Sequence, residues 1–361
     1  MAKVEAIDRE KALEKTLQSI DKQFGRGTIM KINDVRRVDS NSIPTGFIGL
    51  DVALGVGGVP RGRVIEIFGP ESSGKSTLAL EILASVQKEG GTAVFIDAEH
   101  ALDPVYAANL GVDLDTLLIS QPDWGEQALK ITDELIRSHA VDIIVIDSVA
   151  ALTPKAEIDG EIGDSFVALQ ARMMSQALRK LTAQINHSGT IIIFINQVRD
   201  LVGAPAFANH ETTPGGRALK FYSSLRIHVK RIGGLKDGKT SEPNGHRCKI
   251  TIKKNKVAPP FRECEMEVYY GTGFSREASV LQEALNYKVI AKSGSWLAFG
   301  DVKLGQGYDN ARQYLEDNPA VCAQIESIIK DKAFVKGEAP VVNIETDDEV
   351  EDDDEFAVDA A

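Results

Sequence analysis

The residues best equipped for chemistry form one run, Gly69-Pro70-Glu71-Ser72-Ser73-Gly74-Lys75-Ser76-Thr77, which is Gly, four residues, then Gly-Lys-Ser. Glycines at either end let the backbone wrap closely around phosphates, and exposed N–H groups plus the positive end of a following helix attract their charge. At this spacing Lys75 reaches the β- and γ-phosphates of a nucleotide, and the Ser76 hydroxyl ligates Mg²⁺. A second run, Ile143-Ile144-Val145-Ile146-Asp147-Ser148, is four apolar residues ending on a carboxylate. Alone it reads equally well as a core strand capped by a turn Asp. Beside the phosphate run it delivers Asp147 to the same Mg²⁺, and the pair specifies a nucleoside triphosphatase. Hydrolysis also needs a group that orients and deprotonates water. Glu99, two residues beyond Asp97, is the candidate, against the plainer alternative of a surface loop carboxylate.

Such side chains converge only if strands and helices bring them together. Val64-Ile65-Glu66-Ile67-Phe68 before the phosphate run is β-type, and the segment after it carries Leu78, Ile82, Leu83 and Val86 at helical spacing. Further β-type runs are expected at Ala93–Asp97, Thr116–Ser120, Ile143–Asp147 and Ile191–Asn196, alternating with helices over Lys75–Glu89, Glu126–Ser138 and Val167–Asn186. Continuous apolar strands alternating with helices predict an α/β fold with a mostly parallel sheet covered on both faces. Ligands of such sheets bind at the carboxyl ends of the strands, where Asp97 and Glu99, Asp147 and Ser148, and Asn196 and Gln197 all fall. The runs Leu225–Ile232, Cys248–Lys256 and Met266–Tyr270, joined by Gly- and Pro-containing turns, are expected as antiparallel additions at one edge.

The ends of the chain differ from this body. Leu13, Leu17, Ile20 and Phe24 form the stripe of an amphipathic helix that covers either its own domain or another subunit. From about Ser275 a small mixed domain follows, with helical stretches near Ala278–Leu285 and Asn310–Ile329. The expected division is 1–37 N-terminal helix and linker, 38–274 core, 275–336 small α/β domain and 337–361 acidic disordered tail.

With 361 residues, 43% of them apolar, the chain can bury a sizeable core. No apolar run approaches the roughly 20 residues of a membrane span, and the N-terminus lacks a signal peptide's apolar region, so a cytoplasmic protein without a membrane partner is expected. Cys248, Cys264 and Cys322 are too few and too far apart for a disulfide framework or a zinc site. The net charge of −12 argues against nucleic acid only until it is located. Eleven of the 53 acidic residues lie from Glu338 onward, where there is no Lys or Arg, leaving 42 against 41 basic residues in the body. A nucleic-acid site in the body is compatible with that balance.

Together with the phosphate run, Phe95-Ile96-Asp97-Ala98-Glu99-His100-Ala101-Leu102-Asp103-Pro104, Leu118-Ile119-Ser120-Gln121-Pro122-Asp123, Lys220-Phe221-Tyr222 and Lys254-Asn255-Lys256-Val257-Ala258-Pro259-Pro260-Phe261 resemble the bacterial RecA recombinase family. The resemblance runs from about residue 5 to 330, with its motifs in the family's order. It implies a RecA-like P-loop ATPase core with an N-terminal polymerisation helix and a small C-terminal domain. The activity implied is a DNA-dependent ATPase that forms helical filaments on single-stranded DNA, pairs them with homologous double-stranded DNA and exchanges strands in recombinational repair. By the same resemblance Glu99 is the catalytic glutamate, Asp103 and Tyr106 hold the adenine of ATP, and Gln197 senses the γ-phosphate. Lys254 and Lys256 act across the subunit interface as an arginine finger would, while Lys220 and Phe221 belong to that interface. The family further implies promotion of self-cleavage of a stress-response (SOS) repressor, and filament regulators.

Two loops are expected to hold DNA, at about 157–167 and 198–216. Arg172 and Arg179 follow the first and match phosphate-contacting positions. In the second, Arg199, Thr212, Thr213 and the backbone N–H groups of Gly215 and Gly216 can hold phosphates without reading bases. Here the sequence departs from the family: the loop is one residue longer, Leu201 stands for a common Lys, His210 for a common Pro, Pro214 for a common Thr, and Ala204–Phe207 replaces the usual apolar segment. One phosphate-contacting Lys fewer lowers the salt slope of DNA binding by about one. Ser76 for the family's usual Thr is equivalent at Mg²⁺. The acidic tail is either a competitor for basic DNA-binding surface or a solvating extension. Rival readings are a ring-forming replicative helicase, which would call for a larger N-terminal domain, and an ATP-binding regulator indifferent to DNA.

Overall fold

The computed structural model describes residues 2–25, 28–29, 42–161, 166, 168–200, 211–236 and 243–334. The acidic tail, Leu201, His210, the Ala204–Phe207 segment and part of the first expected DNA loop lie outside the described residues. The chain divides into two units, Met1–Ser42 and Ile43–Ala361. In the first, helix α1 (Ala2–Phe24) carries the expected stripe, with Leu13 60% and Phe24 65% exposed.

The second unit is built on a nine-stranded sheet. Its strands are β1 (Val64–Gly69), β2 (Ala93–Asp97), β3 (Leu118–Ser120), β4 (Ile143–Asp147), β5 (Ile191–Gln197), β6 (Leu225–Lys236), β7 (Pro243–Asn255), β8 (Glu263–Tyr269) and β9 (Gly273–Phe274). Their spatial order is β9-β8-β7-β6-β1-β5-β4-β2-β3. The six from β6 to β3 are parallel, and their register aligns the carboxyl ends: Gly69 lies beside Gln197, and Asp97 beside Asp147.

The β-branched central strands are buried on both faces, as two separate layers require. One face packs on α2 (Ile48–Leu54), α3 (Lys75–Lys88) and α4 (Pro104–Asn109), and includes Leu78, Ile82, Leu83 and Val86, all fully buried. Each such side chain contributes about 1.5–3 kcal/mol. The other face packs on α5 (Gly125–Arg137), the longer helix that follows the short α6 (Lys155–Ile158), namely α7 (Leu169–Ser188), and α8 (Ala218–Tyr222).

Two expectations change. β6 is not simply an antiparallel addition: Leu225–His228 pairs in parallel with Ile65–Phe68, and only its other edge is antiparallel, to β7. α8 carries the chain back to the amino end of β1 first, so the strand starts there. The Asn310–Ile329 stretch is two helices, α10 (Tyr308–Asp317) and α11 (Pro319–Ala333), because Pro319 fits a helix start and disfavours helical backbone at Asn318. They join α9 (Arg276–Asn286) and a three-stranded antiparallel sheet, β10 (Ala291–Ser293), β11 (Trp296–Phe299) and β12 (Val302–Gln306). Their core is completed by Ile48 and Val52 of α2, which fixes this segment to the body built on the nine-stranded sheet.

Candidate functional site

The phosphate run turns from β1 into α3 as the sequence predicts. Gly74 sits at φ 93°, a left-handed conformation that favours glycine, and begins the helix. Gly69 is required for space: a Cβ there would lie 2.1 Å from the Val229 carbonyl oxygen of β6. Lys75 is 8% exposed, and its Nζ donates to the Pro70 carbonyl at 2.6 Å across the loop. Burial lowers its pKa, and the carboxylates of Asp147, Glu99 and Glu71 oppose that shift.

Three carboxylates stand along the carboxyl edge, each with different partners. Asp147, at the end of β4, accepts from Ser76 Oγ at 2.6 Å. Burial pushes it up to about 6, against the Ser76 hydrogen bond and with help from neighbouring Glu99. Glu99 follows β2, its backbone N–H donating to the Asp147 carbonyl at 3.2 Å. Its carboxylate accepts from the Ser148 hydroxyl and, at 3.5 Å, from Gln197 Nε2. Asp97 is buried and accepts from Ala101 N, Leu102 N and Gln121 Nε2 at 3.1, 3.3 and 3.0 Å. It therefore shapes the turn that presents Glu99. Asp97 lay at a strand end in the sequence, but that scaffolding task was legible only through its partners.

Beyond this turn, Asp103 caps α4 by accepting from Val105 N at 2.9 Å. Tyr106 on the same helix shares a 2.9 Å hydroxyl–hydroxyl bond with Thr77, tying α4 to the phosphate-loop helix. Ser76 and Asp147 are hard oxygen donors in contact, and no cluster of three His, Cys, Asp or Glu residues able to hold a metal occurs among the described residues. That donor set fits Mg²⁺, which takes few protein ligands and completes its shell with phosphate oxygens and water.

Lys254 and Lys256 are elsewhere. Lys254 pairs with Arg226, which in turn pairs with Glu66, three residues short of Gly69. This is about 10 Å back along the strand and about 10 Å across it from the phosphate loop. Lys254 Nζ donates to the Lys220 and Phe221 carbonyls of α8 at 2.6 and 3.0 Å, and Lys256 Nζ to Phe221 at 3.5 Å. Burial lowers the Lys254 pKa, with Lys256 and Arg226 adding repulsion. Phe221 is 69% exposed. These four residues form one patch at the amino edge of the parallel strands.

Arg172 and Arg179 are exposed two turns apart on α7, opposite its buried Met174, Leu178, Leu181 and Ile185. Past Gln197, Arg199–Asp200 forms a two-residue ladder with Glu211–Thr212. Thr213 is buried, its hydroxyl unpartnered among the described residues, and Gly215 packs beneath Val149 and Met174. Gly216, like Arg199, is exposed.

A phosphate loop opening a helix, a hydroxyl–carboxylate pair beside it and a glutamate on a neighbouring strand define a P-loop nucleoside triphosphatase on a mostly parallel sheet. Models of the RecA N-terminal domain and the RecA C-terminal domain match residues 11–275 and 278–333. The chain is 58% identical over 334 residues to Protein RecA of Halalkalibacterium halodurans, covering 92% of this chain and 95% of that protein. Against Protein RecA of Kineococcus radiotolerans it is 59% identical over 325 residues, 90% of this chain and 92% of the relative. The Clostridium tetani Protein RecA is 54% identical over 348 residues, 96% of this chain and 97% of the relative. The chain belongs to the RecA family, and is an ATP-binding, DNA-dependent ATPase and recombinase of DNA repair. No helix among the described residues is long and apolar enough to cross a membrane.

Proposed function

We propose that the chain assembles on single-stranded DNA as a helical filament whose ATP sites are completed between subunits, and that it pairs this filament with homologous duplex. The observation that carries the reading is the separation of the two halves of the site. Lys75, Ser76, Glu99 and Asp147 lie at the carboxyl edge of the sheet, whereas Lys254 and Lys256 lie at the amino edge beside exposed Phe221. A lysine there meets the γ-phosphate of a neighbour far more readily than its own. Such a head-to-tail contact, if its rotation does not close, generates a filament.

In this reading Lys75 and the loop N–H groups of residues 69–77 hold the phosphates, and Ser76 and Asp147 hold Mg²⁺, which neutralises charge on the phosphates when bound. Asp103 and Tyr106 hold the adenine, and Glu99 takes the proton of the attacking water. The neighbour's Lys254 and Lys256 stabilise charge developing on the transferred phosphoryl group. Gln197, between Glu99 and the second loop, reports the γ-phosphate to that loop. Arg172, Arg179, Arg199, Thr212, Thr213, Gly215 and Gly216 provide contacts to DNA phosphates, Thr213 after exposure of its buried hydroxyl. The exposed stripe of α1 docks on an adjacent subunit together with Lys220 and Phe221. A cytoplasmic location, the domain limits near residues 37, 274 and 336, action on an SOS repressor and control by filament regulators belong to the same proposal.

The test is ATP hydrolysis with and without single-stranded DNA over a salt series, with electron microscopy of the same samples. DNA-stimulated turnover that falls with salt, on helical filaments, is expected. Closed rings, or turnover indifferent to DNA, would overturn the reading.

A further inference from the structure

We propose that Asn196 is a positioning residue that clasps the base of the second DNA loop, with Glu66 as its anchor. Asn196 is the penultimate residue of β5 and fully buried. Its Nδ2 donates to Glu66 Oε1 at 3.0 Å and to the Pro214 carbonyl at 3.1 Å, while its Oδ1 accepts from Gln197 N at 3.0 Å. A single amide thus touches the limb that leaves the sheet at Gln197 and the limb that returns at Pro214, 18 residues beyond it. An Asn that only satisfied its own strand end would need no partner on the returning limb.

The anchor is rigid. Glu66 on β1 is fully buried, and its other oxygen pairs with Arg226 Nε at 2.5 Å. The Arg226 guanidinium lies 4.4 Å from the Phe68 ring centre and is paired in register with Lys254. Breaking a buried pair of this kind strands a charge, so the clasp is fixed to the sheet rather than carried by the loop. The same side chain holds the Gln197 backbone, and Gln197 Nε2 is the group directed at Glu99. Closure of the loop base and the approach of Gln197 to Glu99 therefore share one support. This rests on the proposed reading that residues 198–216 bind DNA.

The test uses the full chain and a polythymidine strand, and reads the ratio of ATP turnover with DNA to turnover without it. Asn196→Ala is expected to lower that ratio at least tenfold. The decisive variant is the paired exchange Glu66→Gln with Asn196→Asp. It moves the charge across the bond and retains a donor, an acceptor and the Arg226 contact inside the sheet, but leaves the Pro214 carbonyl facing a carboxylate. Because the charge leaves Arg226, we expect it to melt below the parent and, at a temperature where it is folded, to lose the ratio at least tenfold. A parent-like ratio in the paired exchange overturns the clasp, as does equal loss of turnover with and without DNA.

If that variant does not fold, deuterium exchange on the unmodified chain decides. Gln197 and residues 211–216 must gain protection together when ATP and DNA are added; independent changes overturn the proposal. Arg199→Ala separates the two readings. Unchanged DNA affinity and salt dependence there would remove the loop from DNA binding, whatever the clasp variants do.

Discussion

Asp97, Glu99 and Asp147 are the same chemistry on adjacent strand ends, and their hydrogen-bond partners assign them different work. Asp97 is consumed by backbone N–H groups and Gln121, Asp147 faces the Ser76 hydroxyl, and Glu99 keeps a carboxylate directed toward Ser148 and Gln197. Replacing Glu99 by Gln retains the shape and removes the proposed base. ATP binding and filament formation are expected to persist while turnover falls at least 100-fold, which nucleotide-binding and steady-state assays would resolve. The Gly-x4-Gly-Lys-Ser spacing singled out Lys75 and Ser76 in the sequence, and an apolar run put Asp147 at a strand end; the structure brings Ser76 and Asp147 into contact. The task of Asp97 was not readable, since its partners come from turns whose path depends on the fold.

Glu81 of α3 offers a pH prediction at the same scale. It accepts from the Phe274 N–H at 2.9 Å, and burial pushes it up to about 8 from an ordinary 4.5. Between those values the unfolded chain has released a proton that the folded chain retains, so stability falls as pH rises. Glu81→Gln should match the parent near pH 4.5 and become the more stable protein toward pH 8. The gap opens by up to about 1.4 kcal/mol per pH unit and is measurable by urea melts across that range.

At the scale of elements, the phosphate loop depends on a strand far away in sequence. β6 passes so close to Gly69 that a methyl group there meets the Val229 carbonyl at 2.1 Å, and neither backbone can yield without disturbing the sheet. Gly69→Ala is expected to cost about 2–3 kcal/mol and abolish ATP binding, read by melting and by nucleotide titration. Alternating apolar runs and helical periods made the parallel sheet legible, as did the stripe Leu78, Ile82, Leu83 and Val86. The parallel pairing of β6 was hidden because its visible signals, Gly233-Gly234 and the strands after it, concern only the hairpin side. Pro319 did signal the break between α10 and α11, but the apolar residues on both sides mimic one continuous helix.

For the molecule as a whole, Lys254→Ala should lose DNA-stimulated hydrolysis by 100-fold or more, as removal of a comparable cation does. Mixing that variant with Lys75→Ala should recover activity at mixed interfaces where intact halves meet; failure of every mixture would count against completion between subunits. Exposed Arg172 and Arg179 make a separate prediction. Each change to Ala should reduce the salt slope of DNA binding by about one, uniformly across base sequences, as measured by anisotropy titration.

The sheet places its phosphate loop and its two lysines at opposite edges, and this has an arithmetic consequence. If the lysines act on a neighbour's phosphate as proposed, a run of n subunits joined head to tail holds n nucleotides but only n minus one completed sites. One terminus keeps a nucleotide that receives no lysines, and the other displays lysines with no phosphate to meet. Turnover per subunit should therefore climb with length along (n − 1)/n. On that proposal a short assembly is expected to burn less fuel per member than a long one.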